Sequence, residues 1–383
     1  MNRMLILSVL LFLLGGTSLY VAHRLFRGLS CFWEGLKLWQ VFTVILLLVL
    51  FAVLGFLRSM LPVSRSIKDI FAWVGGYGMG VLLYLLVFTL MADLLLCLPR
   101  LLKLSFTAHP LYHGFVTCGV LLLTVAVCLW GFIGGRQIDH VTYEISLEDK
   151  QDISDLKIAL ISDVHLGALG SEEHLERIVE ELNGLKPDVI CIAGDFFDTD
   201  FNSISDPEKA LETLQKLQAS YGVYACLGNH DGGSTYGKMR DFLKAADIRL
   251  LDDAYTVIDD RFILAGRLDA NPIGGYGGGR RKDFSQMADW QDPTMPVVVM
   301  DHNPANIDEY SGNVDLILCG HTHKGQVFPG NLITKGLYTV DHGYYRKDAQ
   351  SPQVIVTSGV GSWGMPMRVG SDCEIVLIRF SVD

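Results

Sequence analysis

The chain has 383 residues, of which 50% are hydrophobic and 19% charged, with a mean hydropathy of +0.32 and a net charge of −11. This composition excludes intrinsic disorder, collagen-like repeats and a small disulfide-stabilised scaffold. The charge is divided unevenly, because residues 1–136 carry a net +7 and residues 137–383 a net −18. We therefore predict a membrane part followed by an acidic soluble part. The acidic part argues against nucleic acid as a partner, since binding to a phosphate backbone needs clustered Lys and Arg.

Four apolar runs predict transmembrane helices. They cover residues 4–22, 38–57, 70–98 and 115–134. Each reaches the ~20 apolar residues that a helix needs to cross the hydrocarbon core of a bilayer. The first run could instead be a signal peptide, but it offers no small-x-small cleavage site, so we expect an uncleaved helix. The sequence thus predicts a multi-pass protein of the cell membrane.

The side of the membrane on which the soluble part lies is not decided by charge. Four spans put both termini on one side, and the basic residues of the loops divide five against five, so the positive-inside rule is silent. The lack of an obvious disulfide framework favours the reducing, cytoplasmic side. Asp93, near the end of the third run, could bond to another helix. The simpler interpretation, which we favour, is that the helix ends there in water.

From residue 156 onwards, short apolar runs alternate with segments of helical periodicity. Strands are predicted at residues 157–162, 188–193, 222–227, 297–300, 314–319, 354–357 and 374–380, and helices at 172–185 and 207–219. Runs that are apolar at every position are typical of strands buried on both faces. We therefore expect a layered α/β domain with helices on the outside.

Polar residues directly follow five of the predicted strands. In chain order they are Asp163 and His165, Asp195 and Asp198, Asn229 and His230, His302, and His321 and His323. Because the carboxyl ends of strands form the ligand crevice of α/β sheets, we expect these side chains to meet at one rim. Oxygen and imidazole donors without thiolate suit Mn, Fe or Zn, and their number is natural for two divalent ions. Asp195, which follows a glycine on the middle of the first three strands, is the predicted bridge.

The order D-x-H, G-D-x-x-D, G-N-H-D, H and G-H-x-H resembles the calcineurin-like metallophosphoesterase superfamily, over about residues 157–383. The segment around Gly359–Gly364 is similar to the membrane-associated bacterial branch. The resemblance implies a β-sandwich flanked by helices, with Lys324 standing where relatives often have glycine. It also implies metal ligands and catalytic residues. One metal would be held by Asp163, His165, Asp195 and His323, the other by Asp195, Asn229, His302 and His321, with His230 beside the scissile phosphate and Asp198 orienting it.

The sequence therefore predicts a membrane anchor over residues 1–136 and a metallophosphoesterase domain over residues 137–383. The expected reaction is attack of metal-activated hydroxide on a phosphoric ester or pyrophosphate, with His230 protonating the leaving group. An anchored enzyme suggests a lipid-linked substrate, and the resemblance names UDP-2,3-diacylglucosamine as a candidate. A phosphodiesterase for soluble nucleotides and a non-catalytic membrane scaffold are the alternatives. Metal identity and oligomeric state stay open.

Overall fold

The computed structural model describes residues 3–58, 61–103, 109, 111–147, 150–290 and 292–381, with the side chains of residues 3–13, 98 and 100 outside this description. The chain forms two compact units, Met1–Phe132 and Ile133–Asp383.

The first unit is helical. Its helices are α1 (Arg3–Leu29), α2 (Leu38–Phe56), α3 (Arg65–Leu95), α4 (Cys97–Leu101) and α5 (Tyr112–Gly134). Among the described residues, α2, α3 and α5 are long and apolar enough to span a membrane, and they coincide with three of the four predicted spans. The remaining predicted span, residues 4–22, lies in α1 and extends into side chains outside the described residues, so it stays a prediction.

Helices α2 and α3 approach each other backbone to backbone. A Cβ atom on Gly55 would lie 2.6 Å from the carbonyl oxygen of Phe71, and one on Gly75 would lie 2.5 Å from that of Phe51. Small residues at such crossings let helices gain dispersion contacts, which replace the hydrophobic effect within a bilayer. Gly55 and Gly75 are thus accounted for by packing.

Asp93 has a partner on another helix. Its carboxylate pairs with the guanidinium of Arg24 in α1 and accepts a 2.7 Å hydrogen bond from the hydroxyl of Tyr20. The expectation that this carboxylate simply meets water is therefore wrong, although α3 does end two residues later at Leu95. A partly buried carboxylate is costly without a counter-charge, and the pair with Arg24 supplies one.

In its described residues the second unit forms two six-stranded sheets and four α-helices. The strands are β1 (Ile138–Ser146), β2 (Lys157–Ile161), β3 (Val189–Ala193), β4 (Val223–Cys226), β5 (Ile248–Leu250), β6 (Ala254–Ile258), β7 (Phe262–Gly266), β8 (Val297–Met300), β9 (Leu316–Cys319), β10 (Gly343–Arg346), β11 (Gln353–Val356) and β12 (Cys373–Ser381). The helices are α6 (Glu172–Leu185), α7 (Pro207–Leu214), α8 (Tyr236–Ala245) and α9 (Gly330–Leu337).

The strand order is β1-β12-β2-β3-β4-β5 in one sheet and β10-β11-β9-β8-β7-β6 in the other. Strands β2 to β5 run parallel to one another, as do β7, β8, β9 and β11. The central strands of each sheet therefore end at a common edge. This architecture confirms the predicted α/β class with a layered β-sandwich. Helix α7 is shorter than predicted and ends at Leu214.

Alternate residues of each central strand are buried on opposite sides of the sheet. In one sheet, Leu160 and Cys191 face the other sheet and pack with Leu264 and Leu318. Their neighbours along the strands pack outward, against residues of α6 such as Leu175. This two-sided burial explains why the strands are continuous apolar runs. It also fixes the strand ends rigidly, which positions the polar residues that follow them.

Candidate metal centre

Both sheets deliver side chains to one edge of the sandwich. The predicted ligands leave the carboxyl ends of five strands: Asp163 and His165 after β2, Asp195 after β3, Asn229 after β4, His302 after β8, and His321 and His323 after β9. Six of these seven residues form two clusters, each with ligand atoms within 4.8 Å of one another. The seventh, Asn229, contacts the second cluster through His321.

The first cluster contains Asp163, His165 and His323. His165 Nε2 lies 3.1 Å from His323 Nε2, and His323 Nε2 lies 3.3 Å from Asp163 Oδ1. All three side chains are buried. Two imidazoles and a carboxylate that converge in this way form a donor set suited to a divalent transition metal.

The second cluster contains Asp195, His302 and His321. Asp195 Oδ2 lies 3.1 Å from His302 Nε2, which in turn lies 3.2 Å from His321 Nδ1. The side-chain oxygen of Asn229 is 2.9 Å from the same His321 nitrogen. The non-coordinating nitrogen of His302 has a partner in the carbonyl oxygen of Ala193 at 2.8 Å, and this contact orients the ring.

Asp195 lies between the two clusters. Its Oδ2 faces both, at 3.1 Å from His302 Nε2 and 3.9 Å from His165 Nε2. Its Oδ1 accepts a 2.7 Å hydrogen bond from the backbone N–H of His230. One oxygen is thus held by the backbone while the other faces a nitrogen of each cluster, so Asp195 is placed where it would bridge two ions if both were bound.

The protonation states of two imidazoles suit metal binding, whereas at His302 the charge of Asp195 outweighs burial and raises the pKa well above its usual value. Burial lowers the pKa of His165 to about 4, and burial together with the charge of His302 lowers that of His321 to about 3. These rings are neutral at pH 7, so their nitrogen lone pairs are available. Burial raises the pKa of Asp163 to about 6, whereas His302 overrides the effect of burial on Asp195 and lowers the pKa of that carboxyl.

Five candidate ligands adopt the left-handed backbone region, which residues with a Cβ seldom occupy. The φ angles are 55° at Asp163, 49° at His165, 51° at Asp195, 72° at His321 and 50° at His323. Such conformations cost about 1–3 kcal/mol each and cluster at functional sites, where the surrounding structure enforces them. These backbone conformations direct each side chain from its strand end towards the common edge.

Gly194 shows how little space the edge leaves for additional atoms. Its φ is +83°, and a Cβ at this position would lie 2.6 Å from His302 Nδ1. A side chain here would therefore displace the ring of His302 as well as strain the backbone.

His230 lies beside both clusters with one ring nitrogen engaged. The hydroxyl of Thr199 is 2.6 Å from His230 Nδ1, and the ring meets that of His165 edge-on at a centroid distance of 5.1 Å. The carboxylate of Asp198 lies within 4.8 Å of nitrogens of His165 and His230. Sequence reasoning missed Thr199, because a single threonine in a loop carries no pattern.

Arg368 is a second residue that the sequence did not mark as part of the site. Its side chain is fully buried and donates to the carbonyl oxygens of His323 and Ser358 at 3.1 and 2.8 Å, and to that of Gly361. Nη2 also lies 3.3 Å from His323 Nδ1. Burial and this guanidinium hold the pKa of His323 well below its usual value. Arg368 therefore positions a candidate ligand and keeps it neutral.

Replacing Arg368 with methionine is expected to weaken both folding and metal binding. Each buried carbonyl left without a donor costs about 1–3 kcal/mol. We expect an apparent melting temperature lower by roughly 5–10 °C, and a metal affinity lower by roughly 10–100-fold, as for other residues that orient ligands. Arg379→Met, at an exposed position of β12, is the matched control. Calorimetric metal titration that gives the two variants equal affinity would contradict the positioning role.

Comparison with known proteins agrees with this geometry. The calcineurin-like phosphoesterase family pattern matches residues 156–325. An uncharacterised metallophosphoesterase of Helicobacter pylori is 30% identical over 272 residues, or 70% of each chain. A transmembrane protein with metallophosphoesterase domain from Danio rerio is 29% identical, covering 78% of this chain and 71% of its own. The UDP-2,3-diacylglucosamine pyrophosphatase LpxG of Chlamydia trachomatis is 26% identical, covering 58% and 83% respectively.

The chain belongs to the calcineurin-like metallophosphoesterase family. It is a metal-dependent hydrolase of phosphoester bonds, which confirms the predicted family and enzyme class. Three apolar helices, together with relatives named as transmembrane proteins, indicate association with a membrane.

Proposed function

We propose that the chain is a membrane-anchored phosphohydrolase with two divalent metal ions, acting on a lipid-linked phosphoric ester or pyrophosphate. UDP-2,3-diacylglucosamine is the named candidate substrate. The observation that carries the proposal is the pair of ligand clusters, with Oδ2 of Asp195 lying 3.1 Å from His302 Nε2 in one and 3.9 Å from His165 Nε2 in the other. Residues 1–136 serve as the multi-pass anchor and residues 137–383 as the catalytic domain.

The donor sets fit two ions of the Mn, Fe or Zn type. One ion would be held by Asp163, His165, Asp195 and His323, and the other by Asp195, Asn229, His302 and His321. Nitrogen and oxygen donors that are buried, close together and mostly neutral support this assignment. When bound, such ions lower the pKa of water and offset the negative charge on phosphoryl oxygens.

His230 is the proposed general acid. Hydrolysis of a phosphoester leaves an alkoxide or phosphate that must gain a proton, and an imidazole at hydrogen-bond reach is suited to supply it. The contact between Nδ1 and the Thr199 hydroxyl orients the ring. The carboxylate of Asp198, which lies within 4.8 Å of a His230 nitrogen, is proposed to help orient the ring. The other ring nitrogen is then free to donate to the leaving group.

A lipid-linked substrate is supported by the apolar helices and by the activity for which the relative LpxG is named. A membrane-anchored enzyme encounters lipid substrates by lateral diffusion in the bilayer, so the substrate does not have to leave the membrane. We also propose that the catalytic domain lies on the cytoplasmic side. Eight free cysteines agree with that reducing compartment.

The test is a hydrolysis screen with the full chain in detergent micelles, loaded with Mn²⁺. Substrates are p-nitrophenyl phosphate, bis(p-nitrophenyl) phosphate, UDP-2,3-diacylglucosamine and, as the control without acyl chains, UDP-N-acetylglucosamine. We expect hydrolysis that a chelator abolishes and that favours the acylated nucleotide sugar. No chelator-sensitive hydrolysis of any substrate would overturn the function. Equal rates on the two nucleotide sugars would overturn the lipid substrate.

A further inference from the structure

Helix α9 presents apolar side chains to solvent beside the metal centre. Leu332, Ile333 and Leu337 are 61%, 60% and 73% exposed, and α9 contains no buried residue. Phe328, just before the helix, is 39% exposed. We call Phe328, Leu332, Ile333 and Leu337 the α9 apolar surface. Clustered exposed apolar residues of this size mark a binding surface, because soluble domains otherwise bury them.

The α9 apolar surface is fixed next to the candidate ligands. Helix α9 follows the turn that carries His323, and the Tyr338 ring directly after it lies 6.1 Å from the ring of His321. The hydroxyl of Thr334 in α9 donates to the carboxylate of Asp341 at 2.7 Å. The C-terminal end of the helix is therefore placed next to the candidate metal centre, and Thr334 ties the helix to Asp341, while its apolar side chains stay exposed.

Charge around α9 is opposite in sign to that of the rest of the domain. Residues 322–347 contain four basic side chains and one acidic one, Asp341, whereas residues 137–383 carry a net −18. Two of the basic residues lie close to the apolar surface in sequence: Lys324 is four positions before Phe328, and Lys335 lies between Ile333 and Leu337 in α9. An apolar face bordered by lysines is complementary to an amphiphile with an anionic head.

We propose that the α9 apolar surface binds the acyl chains of a phosphorylated lipid whose phosphate occupies the metal centre. This inference rests on the proposed function for the phosphate, and it adds the site that would distinguish a lipid from a soluble phosphoester. It also assigns Lys324, the departure from the family pattern, to a position between headgroup and chains. The surface thereby makes the enzyme selective for the apolar part of its substrate.

The test measures binding of n-alkylphosphonates to the Mn²⁺-loaded full chain in detergent micelles by calorimetry. The ligands are methyl-, butyl-, hexyl- and octylphosphonate, which share the headgroup and differ only in chain length. Octylphosphonate is expected to bind roughly 100-fold more tightly than methylphosphonate, as for methylenes about half-buried on binding. The double variant Leu332→Ser, Leu337→Ser should reduce that ratio to less than about threefold. Partitioning of the alkylphosphonates into micelles affects the wild type and the double variant equally, so it does not explain a difference between them.

Val257→Ser is the matched control, because Val257 in β6 is 42% exposed and lies outside this surface. It should keep the wild-type ratio. A wild-type ratio near one, with methylphosphonate still bound in a metal-dependent way, would overturn the inference and leave the proposed function standing. Failure of methylphosphonate to bind at all would count against the proposed phosphate site. A dimer that the double variant converts to monomer would assign the surface to a second copy of the chain and overturn the inference.

Discussion

Replacing Asp195 with asparagine is expected to remove metal from the protein and to abolish turnover. In the proposed arrangement the carboxylate is a ligand of both ions, and one of its oxygens lies 3.1 Å from His302 Nε2 and 3.9 Å from His165 Nε2. An amide has no charge to offset two cations that share it. Removal of one group that stabilises charge in the transition state lowers turnover by roughly 10²–10³-fold. Because Asp195→Asn should also lose metal, we expect a larger fall in turnover.

Asp198→Asn is the matched control for this prediction, since it makes the same chemical change beside the clusters at a residue that is not a proposed ligand. Elemental analysis of both variants after loading with Mn²⁺ gives the readout. Asp195→Asn should retain less than one ion per chain, and Asp198→Asn should retain two. Full metal content in Asp195→Asn would contradict the bridging role.

The second large effect is expected for His230→Ala, which should keep its metal but lose roughly 10²–10⁴ in turnover, the usual contribution of general acid–base catalysis. The backbone N–H of residue 230 still donates to Asp195 in this variant, so the ligand arrangement is preserved. The loss should shrink for p-nitrophenyl esters, because p-nitrophenolate leaves without a proton.

Turnover measured with an alkyl ester and a p-nitrophenyl ester, beside metal content, separates the two roles. Thr199→Val should give a smaller loss of the same kind, because it removes only the hydroxyl 2.6 Å from His230 Nδ1. Equal deficits of His230→Ala on both esters, or loss of metal from that variant, would exclude the proton donor.

The central strands and the polar residues that follow them were predictable because both are determined by short stretches of sequence. Apart from Lys157 at the start of β2, strands β2, β3 and β4 are apolar, and polar residues follow each strand end, so their burial and their carboxyl ends can be predicted from short stretches of chain. Strands β6 and β10 were not predicted, because their residues are partly exposed and carry no continuous apolar run.

Residues that act through distant partners were out of reach of the sequence. Arg368 bonds to the carbonyl of His323, 45 positions away, and Asp93 pairs with Arg24 across 69 positions. Contacts between residues so far apart in the sequence leave no local pattern from which they could be predicted. Helix α9 was missed for a different reason: it has only eight residues, which is too short for a helical period to be recognised in the sequence.

Metal stoichiometry tests the central claim most directly. The full chain, purified in detergent, is stripped with a chelator, reloaded with Mn²⁺ and freed of loosely bound ions before elemental analysis and protein quantification. Two clusters that share Asp195 predict two ions per chain, retained in His230→Ala and lost in Asp195→Asn. A value of one ion or none in protein with an intact melting transition would contradict the two-metal centre.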